Sequence, residues 1–204
     1  MAYNTDIPID NNRGGLAGYS WEGVDVTEVS VAVAIENGLP VPIAEERKKF
    51  HVFLPTGETC PFNMLVNGAF SCNLSRQEIR VEEGGENYNR FLFGHAAHLF
   101  CYDLLPALKQ QGADIASTIG LLKRNQPPLA KCITNAAQCF YESIRDALNK
   151  YEFIPLESGQ LKAISNTVVP PLVKDCETGK CFREVLCVDA MFEGNYFPTP
   201  ELCA

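Results

Sequence analysis

Histidine is scarce in this 204-residue chain, with three copies, and that scarcity sets a low ceiling on histidine-based catalysis and on metal binding. Positive charge is also in deficit: 17 Lys and Arg stand against 25 Asp and Glu, a formal net charge of −8. An acidic chain has no long-range attraction for a phosphate backbone or for anionic lipid, so neither nucleic acid nor a membrane is an expected partner. Its short basic trio, Arg47-Lys-Lys49, reads as a solvated loop. No apolar run approaches the roughly 20 residues that a membrane-crossing helix needs, and Met1-Ala-Tyr-Asn-Thr-Asp6 has neither a basic nor an apolar leader region, so a cytoplasmic protein is expected. The Gly-x-Ser-x-Gly pattern of a nucleophile elbow is missing. Gly14, Gly15 and Gly18 lack the Lys-Ser/Thr and the preceding strand that a phosphate-cradling loop requires.

What is present has the balance of an ordinary globular domain, 46% hydrophobic and 21% charged. At this length folding buries roughly 70% of the unfolded chain's surface, enough for a substantial core. Nine cysteines are many, but the number is odd and they sit inside apolar runs such as Leu99-Phe-Cys101 and Val185-Leu-Cys187. Most read as reduced core residues, small hydrophobes in a compartment that keeps thiols reduced.

The pattern predicts an α+β fold, a small and mainly antiparallel sheet backed by long helices and followed by a helical and short β appendage. Residues 1–23, rich in Asn, Asp and Gly, read as a flexible entry. The core occupies 24–112. It opens with a valine-rich strand from Val24 to Ile35 that slips register near Thr27 and Glu28, which implies a bulge. Glu36-Asn-Gly38 is a turn, and the strand Lys49–Leu54 pairs antiparallel with the first across a long connection, ending at Pro55-Thr-Gly57. Phe62 to Phe70 is a second extended run, broken at Asn67-Gly68. Asn73 or Ser75 caps a short helical turn with Arg76 and Arg80 on one face.

A helix from Asn87 to Leu108 has the clearest periodicity, with Phe93, Ala97, Phe100, Leu104 and Leu108 at spacings of three and four. Pro106 predicts a kink or an early end. Residues 113–204 hold helices at 113–123 and about 129–149, the second with a stripe of Ile133, Ala137, Phe140, Ile144 and Leu148. A short β unit then forms around Glu157-Ser-Gly159, Val168-Val-Pro-Pro171 is extended, and a polar, proline-broken tail closes the chain.

Few residue sets carry chemistry. His95 and His98, three apart on the helix and sharing a face with Tyr102, are compatible with half a metal site, although two histidines four apart around a glutamate are not present there. Cys176 and Cys181, with Cys187 beyond, lack the second close pair of a zinc knuckle. Turn chemistry at Thr178-Gly179 accounts for the same residues. A small metal-dependent enzyme using His95, His98 and the cysteines is the rival reading that follows.

Phe53-Leu-Pro-Thr56, Cys60-Pro-Phe-Asn-Met-Leu-Val-Asn-Gly-Ala-Phe70, Leu74-Ser-Arg76 and Tyr88-Asn-Arg-Phe-Leu92 form an ordered set. In it the chain resembles the region that follows the nucleotide-binding domain in sacsin-like proteins, a branch of the Hsp90-type (GHKL superfamily) ATPases. Leu148–Pro155, Ser158-Gly159 and Val168-Val-Pro-Pro-Leu172 extend the resemblance, which covers about residues 24–190. It implies a middle, transducer-like α+β segment that couples a neighbouring ATP-binding domain, in cis or in trans, to a protein partner. The ATP site of the superfamily has no matching set of residues here, so no cofactor is expected for this segment, and ATP and Mg²⁺ are implied for the neighbouring domain. The resemblance makes Arg76, with Arg80 second, the candidate for reaching the neighbour's γ-phosphate, since a guanidinium fork suits phosphate geometry. A stand-alone protein-interaction module is the alternative of the same fold.

Overall fold

A computed structural model describes residues 1–8, 25–81, 88–122, 134–156 and 160–167. The chain divides into two compact units, Met1–Ala147 and Leu148–Ala204. The first holds a five-stranded sheet in the order β1-β2-β7-β5-β6, built from β1 (Ala2–Pro8), β2 (Val26–Ala32), β5 (Lys49–Val52), β6 (Leu54–Thr59) and β7 (Leu65–Gly68). A small ribbon pairs β3 (Ala34–Glu36) with β4 (Leu39–Val41) around a turn with Asn37 and Gly38 both at positive φ. Every pairing in the sheet is antiparallel except that of β5 with β7. The α+β class expected from the sequence is therefore the one observed.

Five local expectations are overturned. The entry is not all loop: Ala2–Pro8 pairs with β2 along its whole length, because Tyr3, Thr5 and Ile7 alternate inward and Ile7 is buried. The register of β2 runs unbroken through Thr27 and Glu28, so no bulge lies there. Thr27, not Val26, takes the inward position, its hydroxyl bonded to Tyr88 Oη at 2.8 Å, and Val26 faces solvent. The strand β5 does not pair with β2, since β7 lies between them. Asn67-Gly68 continues β7 instead of breaking it, and a Cβ on Gly68 would come within 3.2 Å of the Phe70 ring. The basic trio is not a solvated loop either: Lys48 is buried with its ammonium on Glu45, and Lys49 opens β5.

Behind the sheet runs one long helix in three parts: α1 (Tyr88–His98), a π-helical stretch Leu99–Leu104, and α2 (Leu105–Gln110). Pro106 neither ends nor sharply breaks it. The wider π turn, in which the Leu105 amide bonds Phe100 O, takes up the proline's missing donor and its ring just before the helix resumes. Phe93, Ala97, Phe100, Leu104 and Leu108 are all buried, as their spacing predicts. By length and composition Tyr88–Gln110 would suffice to cross a bilayer, which the sequence reading did not expect; 56% of its most apolar stretch is buried in the fold, so the same side chains serve as core.

Two further helices follow, α3 (Ile115–Leu121) and α4 (Asn135–Leu148), the last residue of which opens the second unit. Asp114 starts α3 by accepting the Ser117 amide at 2.6 Å, and those Ser117 hydrogen bonds hold its carboxyl below the ordinary range. The stripe on α4 is buried at Ala137, Phe140, Ile144 and Leu148. Phe140 meets Phe50, Phe62 and Phe93 at ring distances of 5.7, 5.8 and 5.6 Å, while Phe70 lies tilted against Phe93 at 4.7 Å. This five-ring cluster ties α4 to the sheet.

In the second unit, β8 (Ile154–Pro155) and β9 (Leu161–Lys162) pair antiparallel, in agreement with the expected β unit around Glu157-Ser-Gly159. Ile154, Leu156 and Ala163 are its buried apolar residues. The Gly14–Gly18 loop, the Val168–Pro171 segment, Cys176, Cys181, Cys187 and the tail lie outside the described residues.

Candidate functional site

The functional candidates gather at one end of the sheet, where the β5–β6 reversal meets the hairpin that spans residues 71–80. Residues 72 and 79 pair as an isolated antiparallel bridge, so the segment between them is a tight loop and not the helical turn expected from Asn73 or Ser75. Asn73 does organise it, by a different route. Its Oδ1 accepts the Gln77 amide at 2.9 Å, the Glu78 amide at 3.4 Å and the Ser75 hydroxyl at 3.1 Å, so a single side chain replaces the backbone partners that the loop lacks.

At the apex Arg76 adopts φ 55°, a left-handed conformation that L-residues pay for in Cβ crowding. That geometry turns its carbonyl toward β6, where it accepts the Gly57 amide at 2.9 Å. Gly57 is required for this approach, since a Cβ there would lie 2.5 Å from Gln77 O. The Arg76 guanidinium lies over the β5–β6 reversal, with Nη1 donating to Val52 O at a long 3.4 Å. Four of its five N–H donors are left for an anion. Arg80 is exposed on the returning arm, but the hairpin does not place it one helical turn from Arg76 as the sequence reading required.

Around Arg76 the surface is apolar. Phe53, also left-handed at φ 60°, is 74% exposed; Leu54 is 60% exposed, and Leu74 is fully in solvent. A bulky aromatic residue in this conformation is strained, and such outliers concentrate at functional sites. The Phe53 amide is held by Asn67 Oδ1 at 3.0 Å, which fixes the reversal. The tip therefore sets the Arg76 guanidinium among exposed apolar side chains, with Glu78 on the same hairpin and buried Glu58 on β6 as the neighbouring carboxylates in sequence.

The base of the hairpin is held by a residue that sequence reasoning missed. Asn89, 2% exposed on the first turn of α1, accepts the Ser71 amide through Oδ1 at 2.8 Å and donates through Nδ2 to Ser71 O at 2.7 Å and to Arg80 O at 2.6 Å. Its place in Tyr88-Asn-Arg-Phe-Leu92 was the only available signal, and it gave no role. Phe53 was missed as a surface group because its strand-like neighbours suggested burial.

The other candidates are not brought together. His98 is exposed and stacked on Tyr102 at 4.4 Å, while His95 packs edge-on against Phe91 at 4.5 Å. Among the described residues no group of three His, Cys, Asp or Glu side chains could hold a metal ion. Burial pushes the Cys60 and Cys101 thiols up to about 12 and raises that of Cys139, which leaves little thiolate for nucleophilic chemistry near neutral pH.

No protein-family model matches the chain, and no curated protein and no solved structure matches it.

Proposed function

We propose that the chain is a non-catalytic, transducer-like middle segment of a sacsin-like, Hsp90-type ATPase, which couples a neighbouring nucleotide-binding domain to protein partners in the cytoplasm. The observation that carries this reading is the placement of Arg76: a largely uncommitted guanidinium at the apex of a hairpin fixed from three sides, within an apolar surface. A group that must meet a phosphate on another domain works best pre-organised, because no ordering cost then falls on the docking step. ATP and Mg²⁺ belong to the neighbouring domain in this scheme, and Arg80 is the secondary cation.

The test combines calorimetry with turnover. ATP titrated into the chain alone should give no heat of binding, whereas micromolar affinity would sink the non-catalytic assignment. Added to the nucleotide-binding domain of a sacsin-like ATPase, the chain should raise hydrolysis, and Arg76→Ala should lower that stimulation about 100-fold, as expected for loss of one donor to developing phosphate charge. Arg80→Ala should have the weaker effect. Stimulation that survives Arg76→Ala would remove the phosphate role.

The exposed trio of Phe53, Leu54 and Leu74 also favours a second reading, a stand-alone protein-interaction module. Under it the chain binds a partner through the tip without any effect on ATP turnover. The metal-enzyme rival rests on His95, His98 and the cysteines, of which Cys176 and Cys181 lie outside the described residues. Stoichiometric metal in protein purified without added zinc, lost in His98→Ala, would revive it.

A further inference from the structure

The tip is a loop, yet it is tied to the helix layer at a buried point. Three hydrogen bonds of 2.6 to 2.8 Å run from the Asn89 carboxamide to Ser71 and Arg80, the two ends of the hairpin that bears Arg76. The pattern is two-sided. Oδ1 and Nδ2 together close a ring with both backbone groups of Ser71, while Nδ2 also holds the opposite arm, so no other residue type of this size offers the same acceptor and paired donors. Tyr88, the residue before it, bonds Thr27 on β2. The first turn of α1 thus has one residue fastened to the sheet and the next fastened to the tip.

We infer that Asn89 is a positioning residue: by clamping both arms of the 71–80 hairpin to α1, it sets where Arg76 and the surrounding apolar surface stand, and it makes the first turn of α1 the lever by which movement of the helix reaches the tip. This rests on the reading of the tip as the coupling surface, but its test needs only the free chain, so its failure is distinguishable from failure of the ATPase assay.

The reporters are amides within the tip that Asn89 does not touch. The Gly57 amide bonds Arg76 O, and the Gln77 amide bonds Asn73 Oδ1. In Asn89→Ala, hydrogen exchange at both should accelerate about ten-fold or more, and trypsin should cut after Arg76 faster by a similar factor. Tyr88→Phe is the control: it removes a buried hydrogen bond from the adjacent residue of the same helical turn and should leave both reporters at their wild-type rates. A merely structural role for Asn89 predicts equal acceleration in the two variants, and that result would overturn the inference, as would unchanged exchange in Asn89→Ala. Should Asn89→Ala fail to fold, Asn89→Asp keeps the acceptor for the Ser71 amide and loses the donors. Its Ser71 amide should then stay protected while Gly57 and Gln77 exchange faster, and protection of all three would refute the clamp.

Discussion

Phe50 and Phe53 are three residues apart, and they show opposite uses of the same side chain. Phe50 is 0% exposed, with Phe93, Phe140 and Phe70 around it at ring distances of 5.1, 5.7 and 6.2 Å. Phe53 is 74% exposed on a strained backbone. Composition and hydropathy treat the two alike; the difference comes from the chain reversal between β5 and β6, which ends one strand and turns the next side chain outward. One end of this strand is committed to the core, and the other is kept available at a cost in backbone conformation. The comparison separates what holds the fold from what the fold presents.

The largest expected effect breaks the core side. Phe50→Ala removes a ring from the centre of a five-membered aromatic cluster that joins the sheet, α1 and α4, and should cost about 3–5 kcal/mol. Urea unfolding at neutral pH checks this. A loss below about 1 kcal/mol would mean that the cluster relaxes around the gap and that the rings do not share one packed core.

A pH scan sharpens the same contrast without touching an aromatic residue. Cys60 and Cys101 are buried beside this core, and burial lifts each thiol from the ordinary 9.0 to about 12. Below pH 9 both thiols are protonated in the folded and the unfolded chain, so their contribution is intact. Between pH 9 and about 12 the unfolded chain releases these protons while the native chain retains them. Native protein then binds more protons, and stability falls as pH rises, by about 1.4 kcal/mol per pH unit for each thiol. Tyr88, also raised by burial, adds loss of the same sign at higher pH. Unfolding midpoints at pH 8, 9 and 10 should decline more steeply in the wild type than in a Cys60→Ala, Cys101→Ala double variant, and equal slopes would show that neither thiol is protected.

The core side was legible in the sequence, and the presented side was not. The helix face from Phe93 to Leu108 and the α4 face from Ala137 to Leu148 follow from spacing, because on a helix the residues three and four apart must share a surface. Strand pairing is a long-range choice, and no local pattern shows that β7 inserts between β2 and β5. The polar composition of Ala2–Pro8 concealed a period-2 alternation, and Thr27 could face inward only because Tyr88, 61 residues away, supplies a hydroxyl. Arg76 was singled out by its motif, yet its left-handed backbone, the Gly57 contact and the Asn89 clamp all arise from tertiary neighbours.

The smallest expected effect tests whether the exposure of Phe53 is incidental. If the ring contributes nothing to the free fold, Phe53→Gly should relieve the left-handed strain of roughly 1–2 kcal/mol, offset by the extra freedom of glycine in the unfolded chain, roughly 0.5–1 kcal/mol. The net is a slight stabilisation, about 0.5–1 kcal/mol by urea unfolding. Phe53→Ala keeps a Cβ and therefore the strain, so it should leave stability nearly unchanged. The ordering Gly above Ala, with Ala near the wild type, identifies a side chain retained against the interest of folding, as a docking residue would be. A Phe53→Gly variant destabilised by more than about 1 kcal/mol would instead show the ring packing on its surroundings. Phe53 would then belong with Phe50, and the division between the held and the presented end of the strand would fail.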